Sequence, residues 1–168
     1  SSPQTIDIDG LKVHYKETGL QDAPALLLLH GFGSSLQAWD DWSVKLEQKY
    51  RVIRLDLPGF GLTGASPDHD YSEEKDLAIL TRFADKLGLD KFSVIGHSMG
   101  GKISVLTAGS DDRVKAVAPS CGGISDRQNA SPLYVATIAD NNYLKNISCP
   151  IFFLSPSNDF HGLINHLP

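Results

Sequence analysis

The sequence predicts one α/β domain: a mostly parallel sheet entered through an N-terminal hairpin, with helices on both faces. Three observations carry this. Short apolar stretches alternate with longer amphipathic ones, the pattern of strands joined by helical crossovers. One short stretch, Ala25 to Leu29, is apolar throughout, as a strand buried on both faces must be. A Gly-x-Ser-x-Gly turn, Gly96 to Gly100, stands between a strand pattern and a helix pattern. The 168 residues fit a single domain over 1–168.

Each element has its own signal. Thr5 to Asp9 and Val13 to Glu17 alternate around Asp9-Gly10, a dipeptide that accepts the positive φ of a tight hairpin turn. Ala25 to Leu29 is the first buried strand. Trp39 to Gln48 reads as a helix and Tyr50 to Leu55 as the next strand. Ser72 to Leu87 reads as a helix through Leu77, Leu80, Ala84 and Leu87, with Ser72-Glu73-Glu74-Lys75 as its start and Gly88 as its stop. Phe92 to Ile95 is a strand, Met99 to Ala108 a helix, and Val114 to Ala118 a strand. Pro132 to Leu144 reads as helical and Ile151 to Leu154 as the last strand. Right-handed crossovers place the helices on both faces.

Composition narrows the function classes. Fifteen Lys and Arg stand against 20 Asp and Glu, a net charge of -5, which argues against nucleic acid as a partner. With 41% apolar residues the chain can bury a core, which excludes disorder as its main state. No apolar run approaches a membrane-spanning length, so no membrane partner is expected. The opening Ser1-Ser2-Pro3-Gln4 carries no signal-peptide pattern; the compartment stays open, with the cytoplasm preferred. Cys121 and Cys149 make neither a disulfide framework nor a zinc site, and no metal is expected. One follows a strand and the other precedes the next parallel strand, so they sit at opposite ends of the sheet, too far apart to bridge.

The chemistry gathers around Gly96-His97-Ser98-Met99-Gly100-Gly101. A sharp strand-to-helix turn forces Ser98 into a strained conformation with its Oγ presented, and the small flanking residues keep that turn free of clashes. The same letters also fit a plain Gly-rich turn; the strand-turn-helix context favours a nucleophile. His97 is expected to be buried beside it. His30-Gly31-Phe32-Gly33 follows the strand Ala25 to Leu29 and can aim the Phe32 N–H at a developing oxyanion, with the Met99 N–H as its partner. The His30 side chain reads as structural, bonded to backbone in a tight loop.

With Asp56-Leu57-Pro58-Gly59-Phe60-Gly61 as a third motif, residues 1 to about 108 resemble the α/β-hydrolase superfamily, in its carboxylesterase, epoxide-hydrolase and haloalkane-dehalogenase branch. The segments Asp112 to Gly123 and Cys149 to His161 resemble instead the dienelactone-hydrolase and acetyl-esterase type. The resemblance implies that Asp56 forms a turn. It also implies that Ser at position 98 points to acyl hydrolysis, since the epoxide and dehalogenase branches use Asp there. The implied order is Ser, acid, His. Asp159, shortly after the last strand, fits the acid, with Asp126 as the alternative. His166, in His166-Leu167-Pro168, fits the base, with His161 as the alternative, or no functional base within the chain. Nine residues follow Asp159, too few for the family's final helix and strand, so the last strand is expected to be missing.

The expected activity is thus a serine carboxylesterase acting on small-molecule esters without a cofactor. Cys121 is not expected to react, because Ser98 holds the nucleophile position. The 23 residues from Gly122 to Leu144 leave no room for a full cap domain, which predicts an open site favouring short acyl groups. Phe32, Trp39, Phe60 and Tyr134 are candidates to line it. A rival expectation is a non-catalytic or incomplete hydrolase fold serving as a binding or interaction module. A missing last strand would expose a sheet edge and favour a homodimer.

Overall fold

The computed structural model describes residues 3–121, 123–124, 138–139 and 145–154. Strands β1 (Thr5–Ile8) and β2 (Leu11–Gly19) form the expected antiparallel hairpin. Asp9 and Gly10 both take positive φ, 54° and 86°, which lets the turn follow the right-handed twist of the strands. The Gly10 N–H donates to Asp7 Oδ1 at 3.0 Å.

The main sheet has six strands in the order β1-β2-β4-β3-β5-β6. β4 (Arg51–Leu55) pairs antiparallel with β2 and parallel with β3 (Ala25–Leu29). β5 (Phe92–His97) and β6 (Val114–Ser120) continue the parallel half. β3 is paired on both edges and covered on both faces, which explains its unbroken apolar run; all five of its residues are buried. Ile151 and Leu154 form parallel bridges to Val117 and Ser120, one step beyond β6.

Four sequence expectations shift. The helix expected from Trp39 begins earlier, as a 3-10 turn over Leu36–Trp39, because Ser35 Oγ caps the Gln37 N–H; α1 (Asp40–Leu46) follows. α2 (Glu73–Lys86) starts at its Ser72 cap as expected, and Leu89 N–H closes onto Ala84 O at 2.9 Å past Gly88, whose φ is 65°. Its buried face, however, centres on Ile79, Leu80, Phe83 and Ala84, with Leu77 and Leu87 half-buried at the flanks. β5 and β6 run two residues further than the apolar pattern shows, because pairing continues into the turn that carries the site. The helix expected over Pro132 to Leu144 gives way at Ile138–Ala139 (β8), which pairs parallel with Gly123–Ile124 (β7); strand pairing overrides the local helical pattern there. The other residues of that stretch lie outside the described ones.

Two cores flank the sheet. On one side α2 packs Phe83 and Leu80 against Tyr15, Leu27, Ile53 and Val94. On the other, Trp39 covers Leu26, Leu28 and Val52. A side chain as large as Phe83, fully buried, contributes about 2–3 kcal/mol of burial free energy. α3 (Met99–Ala108) is buried at every position from Gly100 to Ala108, so the helix behind Ser98 is fixed by packing. Cys121 and Cys149 are free thiols. Among the described residues no helix is long and apolar enough to cross a membrane.

Candidate active site

β5 ends at His97 and α3 begins at Met99, leaving Ser98 alone in the turn at φ 54°, ψ −116°. Side chains of L-residues avoid this region, and holding one there costs about 1–3 kcal/mol. The turn is held from both sides. Ser98 N–H donates to Ser120 O at 2.8 Å, while Ser98 O accepts from Gly101 N–H at 2.9 Å and Lys102 N–H at 3.2 Å. Close packing explains the flanking glycines. A Cβ on Gly96 would stand 2.0 Å from Gly100 O, and one on Gly100 would stand 2.2 Å from Leu29 O. The N-terminus of α3 therefore rests directly on the end of β3.

The loop after β3 closes over the same point. A Cβ on Gly31 would lie 3.2 Å from Ser98 Cβ. His30 fixes this loop. Leu57 N–H donates to His30 Nε2 at 2.9 Å, so Nε2 carries the lone pair. Nδ1 then carries the hydrogen and donates to Gly31 O at 2.7 Å. Burial holds the His30 pKa below the usual imidazole value, against the Gly31 bond and the Asp56 charge, which raise it. His30 is a neutral strut with both nitrogens engaged, as its structural reading expects.

Asp56 anchors the neighbouring loops. Its Oδ1 accepts from Leu36 N–H at 2.7 Å, and its Oδ2 from Leu62 N–H at 2.8 Å and His14 Nδ1 at 2.7 Å. This is the turn-forming role that the resemblance implies for it. His14, on β2, ties that strand to this carboxylate.

A cavity of about 600 Å³ opens over Ser98, walled by Phe32, Trp39, Trp42, Ile95 and Ser120. The structure thus brings Ser98, Phe32 and Trp39 to one space. Met99 begins α3 beside Ser98 and lines an adjoining cavity with Phe32 and Phe60. Among the described residues no carbonyl takes the Phe32 or Met99 N–H, and no side chain hydrogen-bonds Ser98 Oγ. His97 corrects an expectation: it is exposed, because alternation along β5 buries Gly96 and turns the next side chain outward, to the cavity rim. Asp159, His161, His166, Asp126 and Tyr134 lie outside the described residues, as does most of the stretch where a cap would sit. Among the described residues no three His, Cys, Asp or Glu side chains gather as metal ligands.

Two residues of the adjoining cavity, Tyr71 and Asp76, were not singled out by sequence. For Asp76 a signal exists. It lies three, four and seven residues before Ile79, Leu80 and Phe83, and so leads the stripe that α2 buries.

The sequence matches known proteins over the same region. Residues 24–146 match the family profile described as alpha/beta hydrolase fold. The chain is 39% identical over 101 residues to epoxide hydrolase 4 of Mus musculus, covering 59% of this chain and 28% of that protein. It is 31% identical over 139 residues to N-formylmaleamate deformylase of Pseudomonas putida, covering 79% of this chain and 52% of that protein. The crystal structure of the enol-lactonase from Burkholderia xenovorans LB400 superposes with a TM-score of 0.65 at 28% identity, covering 70% of this chain and 46% of that one. The chain thus spans between about a quarter and about half of the length of these proteins. With the strained serine turn, the buried parallel strands behind it and a profile match over most of its length, the chain belongs to the alpha/beta hydrolase fold family.

Proposed function

We propose that the chain is a serine hydrolase that cleaves small carboxylic esters through an acyl-enzyme on Ser98. One observation carries the reading: Ser98 is held at positive φ at the mouth of a cavity, with the Gly31-Phe32 loop packed against it. In this reading Ser98 Oγ attacks the ester carbonyl while its proton passes to a histidine. His166 is that base, with His161 the alternative, and Asp159 orients it. The Phe32 and Met99 N–H groups receive the oxyanion, each worth about 3 kcal/mol in the transition state. The histidine returns the proton to the leaving alcohol, and water then attacks the acyl-enzyme by the same route in reverse.

The relatives' names speak of different bonds: an epoxide, a formyl group and a lactone. A lactone is a cyclic ester, and a serine hydroxyl suits acyl transfer. Both support the ester reading. The test is a fluorophosphonate probe followed by intact mass. One adduct on the wild type and none on Ser98→Ala is the expected result. A folded protein that takes no adduct, or an adduct that survives in Ser98→Ala, would overturn it in favour of a non-catalytic binding module.

A further inference from the structure

The cavity adjoining the Ser98 site holds about 450 Å³ and shares Phe32 with it. Its walls are aromatic and apolar. Phe32 and Phe60 meet edge to face at 5.4 Å, and Tyr71 is fixed by accepting Ser66 N–H at its hydroxyl. Met99, the neighbour of Ser98, lines the same space. Into these walls the first turn of α2 brings one charged residue, Asp76.

Asp76 is half-buried. Among the described residues its carboxyl takes no hydrogen bond and no direct ion pair, although it sits on the stripe that α2 buries. The charged groups around it are Glu73 and Asp70 on the acidic side and Lys102 of α3 on the basic side, and Lys102 pairs with Glu73. Burial, then Glu73 and Asp70, push the Asp76 carboxyl up to about 7, against Lys102. An unpartnered carboxyl in an apolar wall costs free energy unless a cation meets it, and aromatic faces also attract organic cations.

We propose that this second cavity binds an organic ammonium group, with Asp76 as its counter-ion and Phe32, Phe60 and Tyr71 as its aromatic walls. Because Phe32 borders both cavities, a substrate seated at Ser98 reaches Asp76 with one arm. Resting on the ester-hydrolase reading, the preferred substrate is then an ester bearing a positively charged alkylammonium arm.

The probe is benzyltrimethylammonium, titrated by calorimetry into the whole chain, with its neutral tert-butyl analogue as control. Expected is saturable binding that weakens about tenfold or more in Asp76→Asn. It is retained in Asp76→Glu and Tyr71→Phe and lost in Tyr71→Ala. It also strengthens as pH rises through about 7, as Asp76 gives up its proton. Equal binding by wild type and Asp76→Asn, or no preference for the cation over its neutral analogue, would overturn the proposal. A second arm compares kcat/KM for an acetate ester ending in trimethylammonium with its tert-butyl isostere. The wild type should prefer the cation about tenfold, and Asp76→Asn should not. Equal rates in the wild type overturn the claim about substrate. If Ser98 proves inert to the fluorophosphonate probe, the hydrolase reading fails on its own, and the calorimetry still decides whether the cavity binds the cation.

Discussion

Gly31 faces Ser98 so closely that a Cβ built on it would stand 3.2 Å from Ser98 Cβ. That contact touches the presented side chain, whereas a Cβ on Gly100 would meet backbone, 2.2 Å from Leu29 O and 2.5 Å from His30 O. The two glycines should therefore fail differently. Gly31→Ala is expected to cost about 1 kcal/mol of stability yet slow fluorophosphonate labelling about tenfold, because Ser98 or the Phe32 loop must shift by a few tenths of an ångström. Gly100→Ala is expected to cost about 3 kcal/mol, because backbone must move. Urea unfolding and labelling rates, measured side by side, separate the two; equal losses on both readouts would contradict the distinction.

His30 ties stability to pH. Its folded pKa lies below the ordinary imidazole value, chiefly through burial. As pH falls below about 6.5, the unfolded chain binds the proton first. The stability that neutral His30 supports is present above that value and is lost as pH falls toward its depressed one. His30→Ala should lose about 2–4 kcal/mol at neutral pH, since Leu57 N–H and Gly31 O lose their partner in a dry site. It should also flatten the decline of the urea midpoint between neutral and mildly acid pH. A variant as steep as the wild type would show that another group carries the slope.

Asp76 acts with the opposite sign. Its carboxyl is raised to about 7, first by burial, so the native state keeps a proton that the unfolded chain has released. Its contribution is fully present below the ordinary carboxyl value and is lost as pH rises through about 7. Asp76→Asn, always neutral, should therefore be more stable than the wild type on the alkaline side of that value and converge on it in acid. Thermal melts across this range check the direction. A variant that loses stability in alkali would mean that the carboxylate has a partner that favours its charge.

Asp56 predicts a large loss with no change in the Ser98 turn itself. Removing its carboxylate leaves Leu36 N–H, Leu62 N–H and His14 Nδ1 without their acceptor. Asp56→Ala should cost about 3–5 kcal/mol, measured by urea unfolding. Asp56→Asn should cost less, since its one amide oxygen can still serve one side of the loop pair. A loss under about 1 kcal/mol for Asp56→Ala would mean that water replaces the carboxylate.

What was legible in the sequence is what the chain decides locally. Asp9-Gly10, the Ser72 cap with Gly88, and Gly96 to Gly100 each fix a backbone conformation within a few residues, and the structure has each where the letters put it. The buried run of β3 was legible because a strand covered on both faces leaves no polar position. What depends on distant partners was not. The donors to Asp56 come from 6, 20 and 42 residues away. His97 was misplaced because β5 runs on through it, and alternation along the strand, not the motif's letters, sets which way its side chain faces. Asp76 was passed over in the sequence. Its apolar stripe of Ile79, Leu80 and Phe83 was the signal, but the cavity that gives it meaning needs the Phe32 and Tyr71 loops brought together by the fold. The proposed acid and base, Asp159 and His166, lie outside the described residues.

The strained serine yields the sharpest test of whether the turn was shaped for chemistry. At φ 54° and ψ −116°, Ser98 occupies backbone space that glycine enters freely and other residues enter at a cost of about 1–3 kcal/mol. Ser98→Ala removes the hydroxyl and keeps the strain, so its stability should match the wild type within about 0.5 kcal/mol. Ser98→Gly removes both. The greater freedom of glycine in the unfolded chain offsets about 0.5–1 kcal/mol of the relief. The net expectation is that Ser98→Gly exceeds Ser98→Ala by about 1 kcal/mol in urea unfolding, while neither variant takes the fluorophosphonate label. That result would identify a position where stability has been given up to present an oxygen. A glycine variant less stable than the alanine variant would mean that the turn relaxes without strain, and that the serine is held there by its packing alone.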